Sequence, residues 1–351
     1  MITTEKIKMI DKSDMFSILK DFHLQVEDAV NIGMNADYNR PDTLKIRNII
    51  INGLGGSAIG GDLVRSYISY EIDKPVYINR TYNLPAFADG NTLAVISSYS
   101  GDTEETTSVY FEAIKKGCRI LCITSGGTVA KTAKENGHTL IIVKKGYQPR
   151  CALGYSFFGL LTAFIKMKLI KTRDKDISET IEKIKNKSTE YSEINNSKNP
   201  AIEFAQKLKG TLPIVYSSSD VLDVVNLRWR GQISENAKIL AYGNLYPEMN
   251  HNELVGWKIN EDIMKKISVI FLKDADDNER VKLRMKITEE TYRKYAHQII
   301  NINSDGGSKL ERIFDLIYLG DWISYYLALL NETDPTPVDV IKDLKEKLTE
   351  F

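Results

Sequence analysis

The chain has 351 residues, which at roughly 150 residues per domain predicts about two domains and a core large enough to need no staples. Hydrophobic residues make up 42% and charged residues 27%, a balance that excludes long disorder. Lys plus Arg number 47 and Asp plus Glu 47, for a formal net charge of zero; without an arginine-rich or lysine-rich block, nothing supplies the counterion-displacing surface a nucleic-acid duplex requires.

In chain order, a polar helical lead-in is followed by a strand at Ile46–Ile51, a glycine-rich turn from Gly53 and a helix through Leu63, Ser66 and Ile68. Strands are predicted at Pro75–Asn79, Thr92–Ser97, Arg119–Thr124 and Thr139–Val143, with helices at Thr103–Lys116 and Val129–Glu135 between them. Strand and helix in alternation predict βαβ units on a parallel sheet covered on both faces. Tyr155–Ile170 reads as an apolar core helix, and the lysine-, glutamate- and asparagine-rich stretch 171–200 as a polar linker between two halves. The pattern then restarts. Strands at Leu212–Ser217, Ile267–Leu272 and Gln298–Ile302 alternate with helices at Leu222–Leu240 and Arg280–Tyr295, then Leu310–Leu330 and an amphipathic Val338–Leu348. The N-terminus lacks the apolar stretch of a signal peptide, and no apolar run approaches the ~20 residues that span a bilayer. Cys118, Cys122 and Cys151 have no metal-ligand spacing, and Cys118 and Cys122, inside an apolar run, read as two small buried thiols. A cytoplasmic protein with no membrane contact is expected.

Two loops could carry chemistry. Gly53-Leu-Gly-Gly-Ser-Ala-Ile-Gly-Gly-Asp62 ends a strand and opens a helix, where glycines permit close approach of an anion to unpaired N–H groups. Gly53, Gly55 and Ala58 also satisfy the dinucleotide pattern G-x-G-x-x-G/A, but the next strand ends without an acid and leaves only Arg80 to face a 2′-phosphate. The second loop, Ser97-Ser-Tyr-Ser-Gly-Asp-Thr-Glu-Glu-Thr106, brings Ser98, Ser100 and Thr103 around one glycine at another helix start. Three hydroxyls at the positive end of a helix suit a phosphomonoester; a plain capping box accounts for only one of them.

Together these two motifs resemble the phosphosugar-binding SIS domain. The whole chain resembles a narrower family, the bifunctional phosphoglucose/phosphomannose isomerases, through Tyr82-Asn-Leu-Pro85, Pro149-Arg-Cys-Ala-Leu-Gly154, Ile233-Ser-Glu-Asn-Ala-Lys238, Glu248-Met-Asn-His-Asn-Glu253 and Asp334-Pro-Thr-Pro-Val338. The resemblance implies an α/β protein with two SIS-type domains, each a parallel sheet flanked by helices: lead-in plus first domain over 1–170, linker over 171–200, second domain plus C-terminal helix over 201–351. It implies that Gly55, Gly56, Ser57, Ser98, Ser100 and Thr103 hold the sugar phosphate, that Glu235 moves a proton between C1 and C2, that Arg150 stabilises the enediolate and that His251 helps open the pyranose ring. A lysine of the C-terminal helix also belongs to the site, Lys345 or, one turn away, Lys342. Such chemistry needs a base and an electrophile, but neither metal nor redox cofactor.

The implied function is interconversion of glucose 6-phosphate and mannose 6-phosphate with fructose 6-phosphate. A phosphosugar-binding regulator without catalysis and an NADP-dependent oxidoreductase using Gly53, Gly55, Ala58 and Arg80 are the alternatives. The family further implies a homodimer whose histidine enters the partner's pocket. Gly243–His251 reads as an outward loop carrying Leu245, Tyr246, Pro247 and Met249, an apolar group a second subunit would cover.

Overall fold

The computed structural model describes residues 2–38, 45–348 and 350. The chain divides into two compact units, one of Asp21–Glu182 and one of Met1–Lys20 with Lys183–Phe351. Helices α1 (Thr4–Ile10) and α2 (Met15–Lys20) thus group with the second half of the chain, whereas the sequence reading attaches the lead-in to the first.

The unit Asp21–Glu182 contains α3 (Phe22–Asn35), β1 (Asn48–Asn52), α4 (Gly55–Ile68), β2 (Val76–Asn79), β3 (Thr92–Ser97), α5 (Glu104–Lys115), β4 (Arg119–Thr124), α6 (Gly127–Asn136), β5 (Thr139–Ile142) and α7 (Leu153–Lys166). Its sheet is parallel throughout, in the order β2-β1-β3-β4-β5, with Ile50 opposite Ala94 and Val95 opposite Leu121. Ile49–Ile51, Leu93–Ile96 and Leu121–Cys122 are buried without interruption, as helices on both faces require. Cys122 and Cys151 are buried and Cys118 half-buried, all as free thiols; burial pushes Cys118 up to about 11 and Cys122 up to about 12. At the α3–α7 crossing, Gly33 lies so close that a Cβ would fall 1.9 Å from the Thr162 hydroxyl oxygen.

The segment read as a polar linker is largely helical. Helix α8 spans Asp174–Ser192, because Ile177, Thr180, Ile184, Ser188 and Tyr191 recur at spacings of three and four and form one buried stripe on a polar cylinder. Asn199 caps α9 (Pro200–Leu208), its side chain accepting from the Ala201 and Ile202 N–H groups.

The second unit continues with β6 (Leu212–Ser218), α10 (Asp223–Ala237), β7 (Tyr242–Tyr246), α11 (Glu261–Met264), β8 (Ile267–Lys273), α12 (Glu279–Tyr292), β9 (Gln298–Asn303), α13 (Lys309–Leu330) and α14 (Asp339–Leu348). Its parallel sheet runs β7-β6-β8-β9, repeating the second-first-third-fourth order of the first sheet. Strand β7 corrects the outward loop read from sequence. Gly243 pairs with Val215, and a Cβ there would stand 2.2 Å from the Val215 carbonyl oxygen, so glycine permits this approach. Tyr246 and Met249 are wholly buried in an aromatic cluster with Tyr216, Phe271 and Tyr292. They are therefore not the exposed apolar group that a second subunit was expected to cover.

Helix α13 is by length and composition able to cross a membrane, against the sequence expectation, yet nearly all its side chains are buried inside the fold. Its charges are met by protein groups: Arg312 by Asp274 at 3.0 Å, Asp321 by Arg228 at 2.7 Å and Asp315 by the Asp305 N–H at 2.9 Å. The same helix explains why the lead-in sits with this unit. The Asp11 carboxylate caps α2 through the Met15 and Phe16 N–H groups and accepts from the Tyr325 hydroxyl, while Tyr318 donates to the Leu19 carbonyl.

Candidate active site

The phosphate candidates come together within the unit Asp21–Glu182. Gly55 opens α4 with φ +53°, a left-handed conformation that glycine adopts without strain. Gly56 must also be glycine, since a Cβ would lie 2.4 Å from the Pro149 carbonyl oxygen. That approach brings the 3-10 turn Pro149–Cys151, with buried Arg150, against the start of α4. Buried Ser57 accepts from the Tyr99 N–H at 3.1 Å, which ties the glycine loop to the serine loop.

The serine loop turns at Gly101, φ +83°, where a Cβ would strike the Gly126 carbonyl oxygen at 1.9 Å. Buried Ser98 donates to the Thr103 hydroxyl at 3.1 Å and accepts from the Gly101 N–H at 3.1 Å. Exposed Ser100 accepts from the Asp102 N–H at 3.3 Å. Thr103 is the N-cap residue of α5, yet neither it nor Leu54 at α4 makes a side-chain cap bond. Among the described residues, no acceptor takes the hydroxyl protons of Ser57, Ser100 or Thr103. Three hydroxyl donors and two helix starts without side-chain caps form an arrangement that can receive an anion. Asp102, by contrast, caps α6, accepting from the Thr128 N–H and hydroxyl at 2.8 Å.

The corresponding edge of the second sheet is different. After β8 the chain reads Asp274-Ala-Asp-Asp277, and buried Asp277 accepts from the Ser218 hydroxyl at the end of β6. Burial pushes Asp277 above the ordinary carboxylate range. Carboxylates stand where the first sheet has open hydroxyls.

Glu235, His251 and both lysines belong to the other unit. Glu235 is half-buried in the last turn of α10. The polar face it shares with Arg228 and Gln232 is not solvated: Arg228 grips Asp321 through Nε at 3.1 Å and Nη2 at 2.7 Å, and Gln232 donates to the same carboxylate at 2.9 Å. Asn236 reaches the Ser324 hydroxyl at 2.9 Å, and Lys238 Nζ donates to the main-chain carbonyls of Glu235 and Pro335. The helix end bearing Glu235 is thus fixed by a buried polar network. Sequence reasoning missed its centre, Asp321; an acid inside an otherwise apolar helical run was the available signal. His251 is exposed in a 3-10 turn, Glu248–His251. Helix α14 has no buried residues; Lys342 faces Glu346 at 3.6 Å, and among the described residues no carboxylate lies within ion-pair reach of Lys345.

Residues 197–348 match the family described as bacterial phospho-glucose isomerase C-terminal SIS domain. A bifunctional phosphoglucose/phosphomannose isomerase from Caldicellulosiruptor bescii is 42% identical over 96% of this chain and 99% of its own length. The chain belongs to this family. A member from Aquifex aeolicus is 35% identical, over 88% of this chain and 92% of its own. The solved structure of a glucose-6-phosphate isomerase like protein from Thermus thermophilus superimposes with a TM-score of 0.62 at 17% identity, covering 98% of each chain, and so shares the fold. The two parallel, helix-flanked sheets are the double SIS arrangement. The dinucleotide alternative loses its one cation: Arg80 pairs with buried Asp62 at 2.6 Å, and Arg65 takes the other oxygen at 2.5 Å.

Proposed function

We propose that this protein is an aldose–ketose isomerase interconverting glucose 6-phosphate and mannose 6-phosphate with fructose 6-phosphate through a shared enediolate. The observation that carries the reading is the match along 96% of the chain to an isomerase named for both activities. The open hydroxyls of Ser57, Ser100 and Thr103 support a phosphate anchor there, with Gly55, Gly56 and Ser98 shaping the backbone around it. In this reading Glu235 takes the proton from one of C1 and C2 and returns it to the other, so the same base serves both sugars. Arg150 carries the charge that develops on the enediolate oxygen. His251 assists ring opening, and Lys345 or Lys342 adds a cation at the sugar.

The reading includes no cofactor and no metal in the proton transfer. It includes a cytoplasmic homodimer in which His251 completes the partner's pocket. Exposure of His251 supports that arrangement, as do exposed Val255, Ile259 and Ile263 shortly after it. A coupled assay with glucose 6-phosphate and mannose 6-phosphate, with and without EDTA, tests the reaction. Turnover of both sugars, unchanged by chelation, is expected; turnover of neither, or loss on chelation, contradicts the reading.

A further inference from the structure

The functional reading leaves Glu253, two residues beyond His251 in the Glu248-Met-Asn-His-Asn-Glu253 motif, without a role. Its carboxylate is held from two strands. The Tyr216 hydroxyl on β6 donates to Oε1, and Asn244 Nδ2 on β7 donates to Oε2 at 2.8 Å. Neither donor is free to turn away. Tyr216 is wholly buried, its ring packed against Tyr246, Phe271 and Tyr292. The Asn244 amide is oriented through its own oxygen, which accepts the Leu245 N–H at 2.8 Å. Burial, reinforced by the Glu253 charge, pushes the Tyr216 phenol far above its ordinary range, so it remains a donor.

On the other side of His251, Met249 is wholly buried in the same aromatic cluster, with the Tyr292 hydroxyl 3.7 Å from its sulfur. Asn252 links the two ends of the turn: its oxygen accepts the Glu253 N–H at 2.6 Å and its amide reaches Glu248 at 3.3 Å. His251 therefore stands exposed between two fixed points, in a 3-10 turn that Arg284 of α12 also reaches, donating to Asn250 Oδ1 at 3.2 Å.

We propose that Glu253 is a positioning residue for His251, its carboxylate tethering the imidazole-bearing turn to the sheet through Tyr216 and Asn244. The proposal rests on His251 acting in the reaction. A reacting group displaced by about an ångström loses rate rather than ground-state binding, so the tether acts on kcat.

A double-mutant cycle tests it. Glu253→Gln keeps the shape and removes the charge; kcat should fall about tenfold, the worth of a charge-assisted hydrogen bond at the low end, with KM for fructose 6-phosphate nearly unchanged. In a His251→Ala background the same substitution should cause no further loss, because Glu253 acts only through the imidazole. A general structural defect would instead multiply the two losses. Tyr216→Phe, which keeps the buried ring and deletes only the hydroxyl, should repeat the behaviour of Glu253→Gln and decides the matter if that variant fails to fold. Undiminished kcat in both Glu253→Gln and Tyr216→Phe, or a multiplied loss, overturns the tether. Full activity of His251→Ala overturns the role of His251, and the tether with it; a slow His251→Ala beside undiminished Glu253→Gln and Tyr216→Phe sinks the tether alone.

Discussion

A phosphate dianion held by hydroxyls and main-chain N–H groups depends on each donor by a definite amount. Ser57→Ala and Ser100→Ala each remove one neutral donor to a charged acceptor, worth roughly 1.5–3 kcal/mol, or about tenfold to a hundredfold in affinity. KM for fructose 6-phosphate should rise by that factor in each, with kcat little changed; an unchanged KM in both would move the phosphate elsewhere. Asp315 gives a second residue-level prediction. Burial pushes its carboxyl up to about 6 from the ordinary 3.8, although Lys183 lies 3.8 Å away and opposes the shift. The folded state then binds this proton more tightly than the unfolded state does. Its stabilising contribution is complete below about pH 4 and is lost as pH rises through about 6, a span of about 2–3 kcal/mol. Asp315→Asn, which retains an acceptor for the Asp305 N–H, should gain stability relative to the native protein between pH 4 and 7 in urea titrations. A difference that stays flat with pH would contradict the assignment. The candidate hydroxyls of Ser98, Ser100 and Thr103 are legible in sequence because they lie within one short stretch. The partners of Glu253 and Arg228 are not, since Tyr216 and Asp321 reach them only through the packing of distant elements.

At the scale of elements, strands β1, β3 and β4 announce themselves because a parallel strand covered on both faces must be apolar throughout. Strand β7, Tyr-Gly-Asn-Leu-Tyr, hides because its glycine serves close backbone approach and its asparagine serves Glu253. Helix α8 hides for another reason: one buried stripe suffices to place it, and the remainder of its surface reads as linker. The α10–α13 pair is tighter than either sequence suggests. A Cβ on Gly320 would sit 2.4 Å from Trp229 Nε1, which donates to the Leu316 carbonyl at 2.9 Å. Gly320→Ala must therefore displace a wholly buried indole and strand its N–H. A loss of about 1–3 kcal/mol in unfolding free energy is expected from overpacking; denaturant midpoints equal to the native protein's would show that the crossing yields without strain.

For the whole molecule, the two units share a strand order and differ in the side chains at their strand ends. One offers open hydroxyls at its strand ends; the other offers carboxylates already engaged, with Glu235 and His251 on its helix end and turn. If His251 serves the partner's pocket, mixing Glu235→Gln with His251→Ala under verified subunit exchange should restore activity, because one site of the heterodimer escapes both lesions. A mixture that stays inactive would place His251 in its own subunit's site. The central claim, one site for two sugars, is tested most directly with the native protein. Fructose 6-phosphate formation is measured with saturating glucose 6-phosphate, with saturating mannose 6-phosphate, and with both present. Competition for one site predicts a combined rate lying between the two separate rates. A combined rate equal to their sum would mean separate sites and would contradict the account.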